Sequence, residues 1–382
     1  MDRPRRIAYL TGTRADFGLM AGTLRRLHAD SRTDVSLLVT GMHLSAQYGM
    51  TVKEIEAAGL PVSARIPLTI DDRSELAMAR AVGEAVTGVA VALAQARPDM
   101  LLLLGDRGEM LAGAIAALHL GIPIAHLHGG ERSGTVDEPL RHAITKLSHL
   151  HLVATRESRQ RVVRMGEAAQ NVYLVGAPSL DDVVARSELP REQVLRELGL
   201  PAAGRYALVL FHPVVQEMAQ VQDQVDALVA ALQAEVLAAG MHVVWLAPNA
   251  DAGSTAIVAA IQRADGPQVH RIIHLPRPRY LDALAVADVL VGNSSSGIIE
   301  AASLGTPVVN IGNRQRLRQR NVNTRDCGAD AASIRQALVA ALRGGRFVPG
   351  NVYGDGKSGE RICELLATVP LPPSLLDKSN AY

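Results

Sequence analysis

Short apolar runs of strand length recur along the chain and alternate with longer stretches rich in alanine and leucine. Strands that carry almost no charge and alternate with helices are typical of parallel sheets buried on both faces. The strand-length runs lie at residues 7–10, 35–39, 100–104, 122–125, 206–210, 242–246, 289–291 and 308–311. The helix-length stretches lie at residues 76–96, 108–119, 225–237 and 280–287. The pattern predicts an α/β fold in which right-handed crossovers give doubly wound layers.

The length of the chain predicts two domains. The chain has 382 residues, whereas one domain usually holds about 150 residues. A charged, proline-containing segment at residues 178–204 separates two sets of apolar runs. We therefore expect a Rossmann-like domain at residues 1–177 and a second one at residues 178–382, facing each other across a cleft. The final helix could pack back on the first domain. Residues 370–382 are expected to be poorly anchored.

Composition and charge exclude several classes of partner. Hydrophobic residues make up 48% of the chain and charged residues 20%, which is typical of a globular protein. The formal net charge is +1, so we expect no overall attraction to nucleic acid or to an anionic membrane. Aromatic residues make up 3% of the chain, which offers no stacking platform for single-stranded nucleic acid.

Cysteine content and the apolar stretches predict a cytoplasmic protein. The two cysteines, Cys327 and Cys363, are too few for a disulfide scaffold or a cysteine zinc site. The apolar stretch at residues 7–10 is too short for a signal peptide. Residues 110–130 carry no Asp, Glu, Lys or Arg and are long enough to span a bilayer. The Gly-Ile-Pro break at residues 121–123 instead predicts a helix, a turn and a buried strand there.

Polar side chains follow most of the predicted strands. Doubly wound sheets bind ligands at the carboxyl ends of their strands, so these segments are candidate binding sites. They are residues 11–16, 41–43, 105–107, 126–131, 212–213, 248–251 and 292–297. Both halves of the chain therefore contribute to the predicted site.

The segment Gly-Asn-Ser-Ser-Ser-Gly at residues 292–297 is a candidate phosphate site. It follows a buried strand and precedes a helical stretch at residues 298–304, and backbone N–H groups at a helix start favour an anion. A helix cap alone needs one serine, so three serines between two glycines favour phosphate. Glu300 is able to accept hydrogen bonds from a ribose diol, although complementation of the helix dipole would explain it equally well.

Several basic residues at strand ends are candidate phosphate ligands. Arg14 is placed to bind a phosphate bidentately, or it could pair with Asp16. Its loop lacks the GxGxxG and GxxxxGK[ST] spacings, so neither a dinucleotide fold nor a nucleotide hydrolase is indicated. Arg314 begins an alternating run of arginines at residues 314–320, which is more typical of a solvated loop, although one member could face the cleft. His212 is either a loop histidine or a phosphate contact.

One dense group of ionisable residues follows the predicted strands and is a candidate for acid–base chemistry. Neighbouring carboxylates, histidines and arginines shift each other's pKa values apart, which such chemistry requires. A surface ion-pair network on a helix at residues 137–146 is the competing interpretation, and it is favoured for Glu138. It is disfavoured for Asp106, since a charge closing the leucine strand 101–104 would be costly without a function. The group consists of Asp106, His128, Glu131, Asp137, Glu138, Arg141 and His142.

The histidines raise the possibility of a metal site. His126 and His128 lie two residues apart, and this pair alone would not chelate one ion. His43 and His212 lie elsewhere in the sequence. We therefore expect neither a metal nor another cofactor.

Eight ordered motifs resemble those of the hydrolysing UDP-N-acetylglucosamine 2-epimerases, a family that includes bacterial enzymes of sialic and legionaminic acid synthesis and the epimerase half of the animal bifunctional enzyme. The resemblance spans nearly the whole chain. The motifs are TGTRADFG (11–18), LGDRGE (104–109), HLHGGERSGTVDEPLRHAITKLSHLH (126–151), FHP (211–213), PNADAGS (248–254), GNSSSGIIE (292–300), GTPVVNIGNRQ (305–315) and YGDG (353–356).

The resemblance implies an architecture and a reaction. The architecture is glycosyltransferase-B-like, with UDP held by the C-terminal domain and the sugar handled by the N-terminal domain. In the reaction, the proton at sugar C2 is removed, UDP departs to give a glycal, and water adds to release free N-acetylmannosamine. The resemblance further implies a metal-independent enzyme that forms a homo-oligomer, either a dimer or a tetramer.

The resemblance also implies roles for single residues. Asp106 and Asp137 match catalytic carboxylates of the family, and a third family carboxylate falls at His128, so that His128 or the nearby Glu131 would supply the remaining base. Glu300 matches a ribose-binding carboxylate, and Asn249 and Asp251 match a substrate-cleft loop. The residues that match UDP or phosphate contacts are Arg14, Arg107, His212, Ser294, Ser295 and Arg314. From the same strand ends and the ionisable group, we add to the predicted binding residues His43, Arg141, Ser296 and Gly297.

The sequence thus predicts a hydrolysing 2-epimerase that converts UDP-N-acetylglucosamine into UDP and N-acetylmannosamine for the synthesis of sialic-acid-type sugars. A close alternative is the same reaction on a UDP-2,4-diacetamido-2,4,6-trideoxy sugar of legionaminic acid synthesis. Three more distant functions are a non-hydrolysing epimerase, a glycosyltransferase suggested by architecture alone, and a catalytically silent sensor of sugar nucleotides.

Overall fold

The chain forms two compact units. The computed structural model describes residues 3–70, 75–132, 137–186, 188–248, 253–264, 266–273 and 275–381. The first unit consists of Met1–Glu131, Asp137–Asp181 and Tyr353–Tyr382, and the second of Arg132–Val136 and Asp182–Val352. The chain thus passes into the second unit after Asp181 and returns to the first at Tyr353.

The first unit is built on a seven-stranded parallel sheet. Its strands are β1 (Arg5–Thr11), β2 (Thr33–Thr40), β3 (Val62–Ile66), β4 (Met100–Leu104), β5 (Ile124–Leu127), β6 (Leu150–Val153) and β7 (Val172–Leu174). They pair in the order β3-β2-β1-β4-β5-β6-β7, and every pair is parallel. The order reverses between β1 and β4, which is the switch point where such sheets bind ligands.

Helices cover both faces of this sheet. They are α1 (Arg14–Ala29), α2 (Val52–Ala57), α3 (Glu75–Ala96), α4 (Gly108–His119), α5 (Asp137–Leu147) and α6 (Arg156–Arg164). The next helix, α7 (Ser179–Ala185), begins in the first unit and ends in the second. Successive residues of a strand point to opposite faces, so Ile7 and Tyr9 of β1 pack in one core with α1, whereas Ala8 and Leu10 pack in another with α3 and α4. The uncharged strands are therefore buried on both sides.

Among the described residues, one helix is long and apolar enough, by length and composition, to cross a membrane: residues 76–96 of α3. One side of α3 buries Val89 and Leu93 in the core of the first unit, while Leu76 and Met78 are exposed. The other uncharged stretch, residues 110–130, forms most of α4, a turn and β5, as the sequence predicted.

The second unit is built on a six-stranded parallel sheet. Its strands are β8 (Tyr206–Leu210), β9 (His242–Leu246), β10 (Val269–Ile272), β11 (Val289–Gly292), β12 (Val308–Ile311) and β13 (Thr324–Cys327). They pair in the order β10-β9-β8-β11-β12-β13, again all parallel. This order repeats that of the first sheet up to its sixth strand, and the switch point lies between β8 and β11.

The helices of the second unit pack on this sheet through apolar side chains of α9, α10 and α13. The helices are α8 (Arg191–Glu197), α9 (Val221–Leu232), α10 (Ser254–Arg263), α11 (Arg277–Val286), α12 (Ser295–Ile299) and α13 (Ala331–Gly344). A π-helical turn, Gln233–Leu237, continues α9. The predicted helix at residues 225–237 is thus present and starts four residues earlier.

After the second unit, the chain forms α14 (Ser358–Thr368) in the first unit. Ile362 and Leu366 of α14 are fully buried in the same core as α1. Both units are parallel sheets of Rossmann order covered by helices, which confirms the α/β fold predicted from the sequence.

Candidate active site

The carboxyl ends of β4 and β5 bring together four members of the predicted acid–base group. Asp106 follows β4, His128 and Glu131 follow β5, and Arg141 lies in the second turn of α5. The Arg141 guanidinium contacts the Asp106 carboxylate through Nη2, and its Nη1 lies 3.4 Å from Oε2 of Glu131. Arg141 is 2% exposed and Glu131 is 3% exposed. Because buried charges require partners, this arginine is shared by two carboxylates.

His128 has a left-handed backbone conformation and an oriented ring. Its φ of 63° is uncommon for a residue other than glycine and is often found at functional sites. Nδ1 of the ring contacts Oε1 of Glu131. The following turn depends on Gly130, which has a φ of 74° and where an added Cβ would lie 2.5 Å from the Ser158 carbonyl oxygen. The turn and the carboxylate together fix the direction of the imidazole.

His126 is a strand residue, which corrects the sequence prediction. The observed β5 lies two residues later than the predicted run at 122–125, because the Gly-Ile-Pro turn occupies the first of those positions. Nε2 of His126 lies 2.7 Å from the Gly105 carbonyl oxygen, and Nδ1 lies 3.2 Å from Oγ1 of Thr145. Burial lowers the pKa of His126 to about 3. The ring is therefore neutral and links the loop of Asp106 to α5.

Other members of the acid–base group lie on α5. Asp137 is the first residue of this helix and is partly buried. Glu138 and His142 are one turn apart, with Oε1 of Glu138 3.5 Å from Nε2 of His142. Asn249 and Asp251, predicted for a substrate-cleft loop, lie outside the described residues.

A buried carboxylate organises the loop after β1. Asp16 accepts hydrogen bonds from the backbone N–H groups of Thr13, at 2.9 Å, and Gly12, at 3.1 Å, and contacts the Thr11 hydroxyl. Thr13 and Asp16 form a capping box at the start of α1. Burial raises the pKa of Asp16 to about 6, against the lowering effect of these hydrogen bonds. Arg14, the first residue of α1, is exposed.

His43 and Arg107 lie beside this loop at neighbouring strand ends. His43 is fully buried, with Nε2 2.9 Å from Oγ1 of Thr11 and Nδ1 2.7 Å from Oγ1 of Thr51. Burial lowers the pKa of His43 to about 4. Arg107 is exposed and donates from Nε to Oε2 of Glu109 at 3.2 Å. His43 thus supports the loop through its buried contact with Thr11, whereas the side chains of Arg14 and Arg107 are exposed to solvent.

In the second unit, two reciprocal hydrogen bonds join the ends of two strands at the switch point. The His212 N–H donates to Oδ1 of Asn293 at 2.7 Å, and Nδ2 of Asn293 donates to the His212 carbonyl oxygen at 2.8 Å. Nη1 of Arg314 and Nε2 of Gln315 both donate to the Asn293 carbonyl oxygen at 3.1 Å. The close approach requires Gly292, where an added Cβ would overlap a carbonyl oxygen of β8. The predicted residues His212 and Arg314 therefore meet around Asn293.

The three serines after β11 differ in their bonding. Ser294 caps α12, since its Oγ accepts the Ser296 N–H at 3.3 Å. Oγ of Ser296 donates to Glu300 at 2.5 Å and accepts from the Tyr280 hydroxyl at 2.6 Å. Ser295 is the first residue of α12 and is partly exposed. One serine thus serves as an ordinary cap, and another orients a carboxylate.

Glu300 is held from two sides. It lies at the junction between α12 and a 3-10 turn, Ala301–Leu304. Its carboxylate, 4% exposed, lies 2.8 Å from Nη2 of Arg277, whose Nε donates to Asp182 at 2.8 Å. Gly297 packs against β12, where an added Cβ would lie 2.9 Å from the Val308 side chain. The predicted ribose-binding carboxylate is therefore rigidly oriented.

Asn293 and Arg277 shape this part of the second unit but were not singled out from the sequence. Asn293 could have been predicted from the sequence, because its polar side chain directly follows a buried strand and lies in the candidate phosphate segment 292–297. Arg277 could not, since it starts a different helix and no sequence spacing connects it to Glu300.

Within the described ranges, no three His, Cys, Asp or Glu side chains are grouped closely enough to hold a metal ion. His126 and His128 bond to separate partners, Gly105 and Thr145 for the first ring and Glu131 for the second.

Comparison with known proteins gives one consistent result. A family model described as UDP-N-acetylglucosamine 2-epimerase matches residues 25–367. The chain is 47% identical to a UDP-N,N'-diacetylbacillosamine 2-epimerase (hydrolyzing) of Legionella pneumophila, over 99% of this chain and 100% of the relative. It is 33% identical to a UDP-N-acetylglucosamine 2-epimerase of Neisseria meningitidis, over 95% of each chain.

Solved structures share the fold. The UDP-GlcNAc 2-epimerase of Neisseria meningitidis bound to UDP-GlcNAc superposes with a TM-score of 0.78 at 15% identity, covering 94% of this chain and 99% of that one. The Methanocaldococcus jannaschii UDP-GlcNAc 2-epimerase in complex with UDP-GlcNAc and UDP gives a TM-score of 0.76 at 17% identity, with coverage of 94% and 99%. Taken with the family match across most of its length, the chain is an enzyme and belongs to the hydrolysing UDP-N-acetylglucosamine 2-epimerase family.

Proposed function

We propose that the preferred substrate is a UDP-linked 2,4-diacetamido-2,4,6-trideoxy sugar, which is converted to UDP and the free 2-epimeric sugar. The observation that carries this proposal is the 47% identity, over 99% of the chain, to a relative named for hydrolysis of UDP-N,N'-diacetylbacillosamine. The relative named for UDP-N-acetylglucosamine is 33% identical. The comparisons therefore favour the diacetamido substrate over the synthesis of N-acetylmannosamine, which the sequence motifs had placed first.

The reaction requires two acid–base events at the same carbon. A base takes the proton from C2 while the C1–O bond breaks, so that the C–H electron pair forms the C1–C2 double bond and the C1–O pair leaves with UDP. Water then adds its oxygen to C1, and a proton is delivered to the opposite face of C2. Groups on two sides of the sugar are needed, which supports a role for more than one side chain of the Asp106, His128 and Asp137 set.

His128 is the better candidate for proton transfer than Glu131. The Glu131 carboxylate is bonded to the His128 ring and to the guanidinium of Arg141 and is almost fully buried. A carboxylate in this position orients a histidine and fixes its tautomer, so that the other ring nitrogen, Nε2, is left to handle the proton. Glu131 is then a positioning residue. Asp106, paired to Arg141 and 22% exposed at its side chain, is the second candidate base.

Departure of UDP places negative charge on its diphosphate. Accessible arginines at strand ends are suited to stabilise this charge, because preorganised cations act on the transition state without reorganisation. Arg14 and Arg107 are exposed at such positions in the first unit, and the partly buried Arg314 follows β12 in the second. Glu300, fixed by Arg277 and Ser296, is suited to accept hydrogen bonds from the ribose.

Product analysis with two substrates tests the proposal. The enzyme is incubated separately with UDP-N,N'-diacetylbacillosamine and UDP-N-acetylglucosamine in deuterated water, and products are followed by NMR. We expect equal amounts of UDP and free sugar, deuterium at C2 of that sugar, and kcat/KM at least about tenfold higher for the diacetamido substrate, since pocket contacts to one sugar substituent give differences of this size. A preference for UDP-N-acetylglucosamine would overturn the assigned substrate. Interconverted UDP-sugars without free sugar would overturn hydrolysis.

A further inference from the structure

A lysine near the end of the chain closes the carboxyl end of α5. Nζ of Lys378 donates to the carbonyl oxygens of Thr145 at 3.2 Å, Lys146 at 2.6 Å and Ser148 at 2.5 Å. The last carbonyl groups of a helix have no donors within the helix, and the helix dipole favours a cation at this end. Lys378 therefore supplies hydrogen bonds to carbonyl groups at this end of the helix, together with a favourable charge.

The same ammonium group is anchored by a buried carboxylate of the first unit. Glu167, 2% exposed, lies 2.7 Å from Lys378, 2.7 Å from Lys146 and 2.9 Å from Nε2 of His151. Burial alone would raise the pKa of Glu167, but the hydrogen bonds from His151 and the two lysines outweigh it and lower the pKa to about 2. Glu167 is thus ionised across the working pH range of most enzymes.

Two further bonds attach the residues that follow Lys378. Oδ1 of Asn380 accepts from Nζ of Lys146 at 2.8 Å, and the Ala381 N–H donates to the Gly166 carbonyl oxygen at 2.8 Å. The expectation that residues 370–382 are poorly anchored was therefore wrong. A lone lysine in a short polar segment leaves no periodic pattern in the sequence from which such anchoring could be predicted.

The opposite end of α5 carries the candidate catalytic groups. Asp137 is its first residue, and Arg141 contacts the carboxylates of Asp106 and Glu131. Thr145, whose carbonyl is bonded by Lys378, also contacts the His126 ring through its hydroxyl. An α-helix of 11 residues is a stiff rod about 16 Å long. Fixing its carboxyl end therefore fixes where Asp137 and Arg141 lie.

We propose that Lys378 is a positioning residue for the reaction, holding α5 so that Arg141 and Asp137 keep their places beside Asp106 and Glu131. This inference rests on the proposed function in assigning those residues to the chemistry. It predicts that loss of the ammonium group slows the chemical step and leaves UDP binding unchanged, because the UDP contacts proposed above, Arg14, Arg107, Arg314 and Glu300, lie outside α5.

The test compares Lys378→Met, Lys378→Arg and the control Lys53→Met, which alters an exposed lysine on α2. For each variant, kcat, KM, UDP affinity and hydrogen exchange of the α5 amides are measured. We expect Lys378→Met to lower kcat at least tenfold, to change KM and UDP affinity less than threefold, and to speed exchange within residues 137–147. Lys378→Arg should recover most of kcat, because guanidinium keeps the charge and several donors. Lys53→Met should match the parent.

Two kinetic outcomes would contradict the inference. Unchanged kcat per folded molecule in Lys378→Met would overturn it, as would a loss of UDP affinity that accounts for the lower rate. If Lys378→Met does not fold, Lys378→Gln, which keeps two donors, is measured in its place, and failure of both to fold would make Lys378 a folding residue instead. An inactive parent enzyme would refute the proposed function, while hydrogen exchange would still decide whether Lys378 holds α5.

Discussion

The Glu131 carboxylate contacts Nδ1 of His128. From the sequence, either residue could have been the remaining base, and this contact gives the two residues different roles. The carboxylate is buried and is also bonded by Arg141, whereas the side chain of His128 is 11% exposed. The two ring nitrogens lie on opposite edges of the imidazole, so the nitrogen that remains for substrate is Nε2. Glu131 therefore acts on the reaction through His128.

This relationship predicts a non-additive pair of variants. His128→Gln should lower kcat by about 10²- to 10⁴-fold, the usual contribution of a general acid–base group, and Glu131→Gln should lower it less. The double variant should be no slower than His128→Gln, because Glu131 has no ring left to orient. Release of UDP measures kcat, and Glu157→Gln, which alters an exposed carboxylate on α6, is the control. Fully multiplicative effects would show that the two residues act independently.

Ribose recognition by Glu300 leads to a second prediction. Glu300→Gln should weaken UDP binding by about tenfold or more, because a hydrogen bond to a charged acceptor contributes about 1.5–3 kcal/mol. Asp106→Asn should lose turnover but bind UDP normally, since its described partner, Arg141, lies in the first unit. Titration calorimetry with UDP measures both affinities. Equal affinity in Glu300→Gln and in the exposed control Asp223→Asn would remove Glu300 from the nucleotide site.

The strands predicted from the sequence are those at the centres of the two sheets. They are buried on both faces and read as uncharged runs, as β4 and β8 do with burial at nearly every position. Four of the five strands missed by the prediction are the sheet edges, namely β3, β7, β10 and β13. Edge strands contact water along one side, so they keep polar residues and resemble loops. The fifth, β6, is short and contains the buried His151.

In the candidate site, the sequence likewise predicted some features and missed others. Asp106, His128 and Glu131 could be selected because charged residues directly after apolar strands are costly without a function. The bonds that organise them could not be predicted, since Arg141, Thr145 and Lys378 come from other elements. Their pairing depends on three-dimensional packing, which no spacing along the chain records.

The turn that presents His128 leads to a third prediction, on stability. Gly130 and Gly59 have nearly equal φ angles of 74° and 71°, but an added Cβ would meet the Ser158 carbonyl at 2.5 Å at Gly130 and nothing within 4 Å at Gly59. Gly59→Ala should cost about 1 kcal/mol, the conformational penalty alone. Gly130→Ala should cost about 1–3 kcal/mol more, because the backbone must shift. Urea unfolding measures both, and equal losses would contradict the overlap.

Buried histidines of the first unit lead to a fourth prediction, on pH. Burial lowers the pKa of His126 to about 3 and those of His43 and His149 to about 4 in the folded protein, whereas an unfolded histidine has a pKa of about 6.5. Below about pH 6.5, the unfolded chain therefore binds protons that the folded chain does not, and unfolding becomes easier as the pH falls. Asp16 acts in the opposite direction, because burial raises its pKa to about 6 in the folded protein.

The three histidines outweigh the one aspartate, so the net effect of lowering the pH is to destabilise the folded protein. The free energy of unfolding should fall between neutral pH and about pH 5, by about 1.4 kcal/mol per pH unit for each net proton taken up on unfolding. Urea unfolding followed by circular dichroism at several pH values measures this slope. His149→Gln should reduce the slope by up to one proton, since the amide nitrogen and oxygen do not titrate, while His28→Gln, on an exposed position of α1, should leave it unchanged. A slope of zero, or greater stability at pH 5, would mean that these rings are protonated in the folded protein and that burial does not keep them neutral.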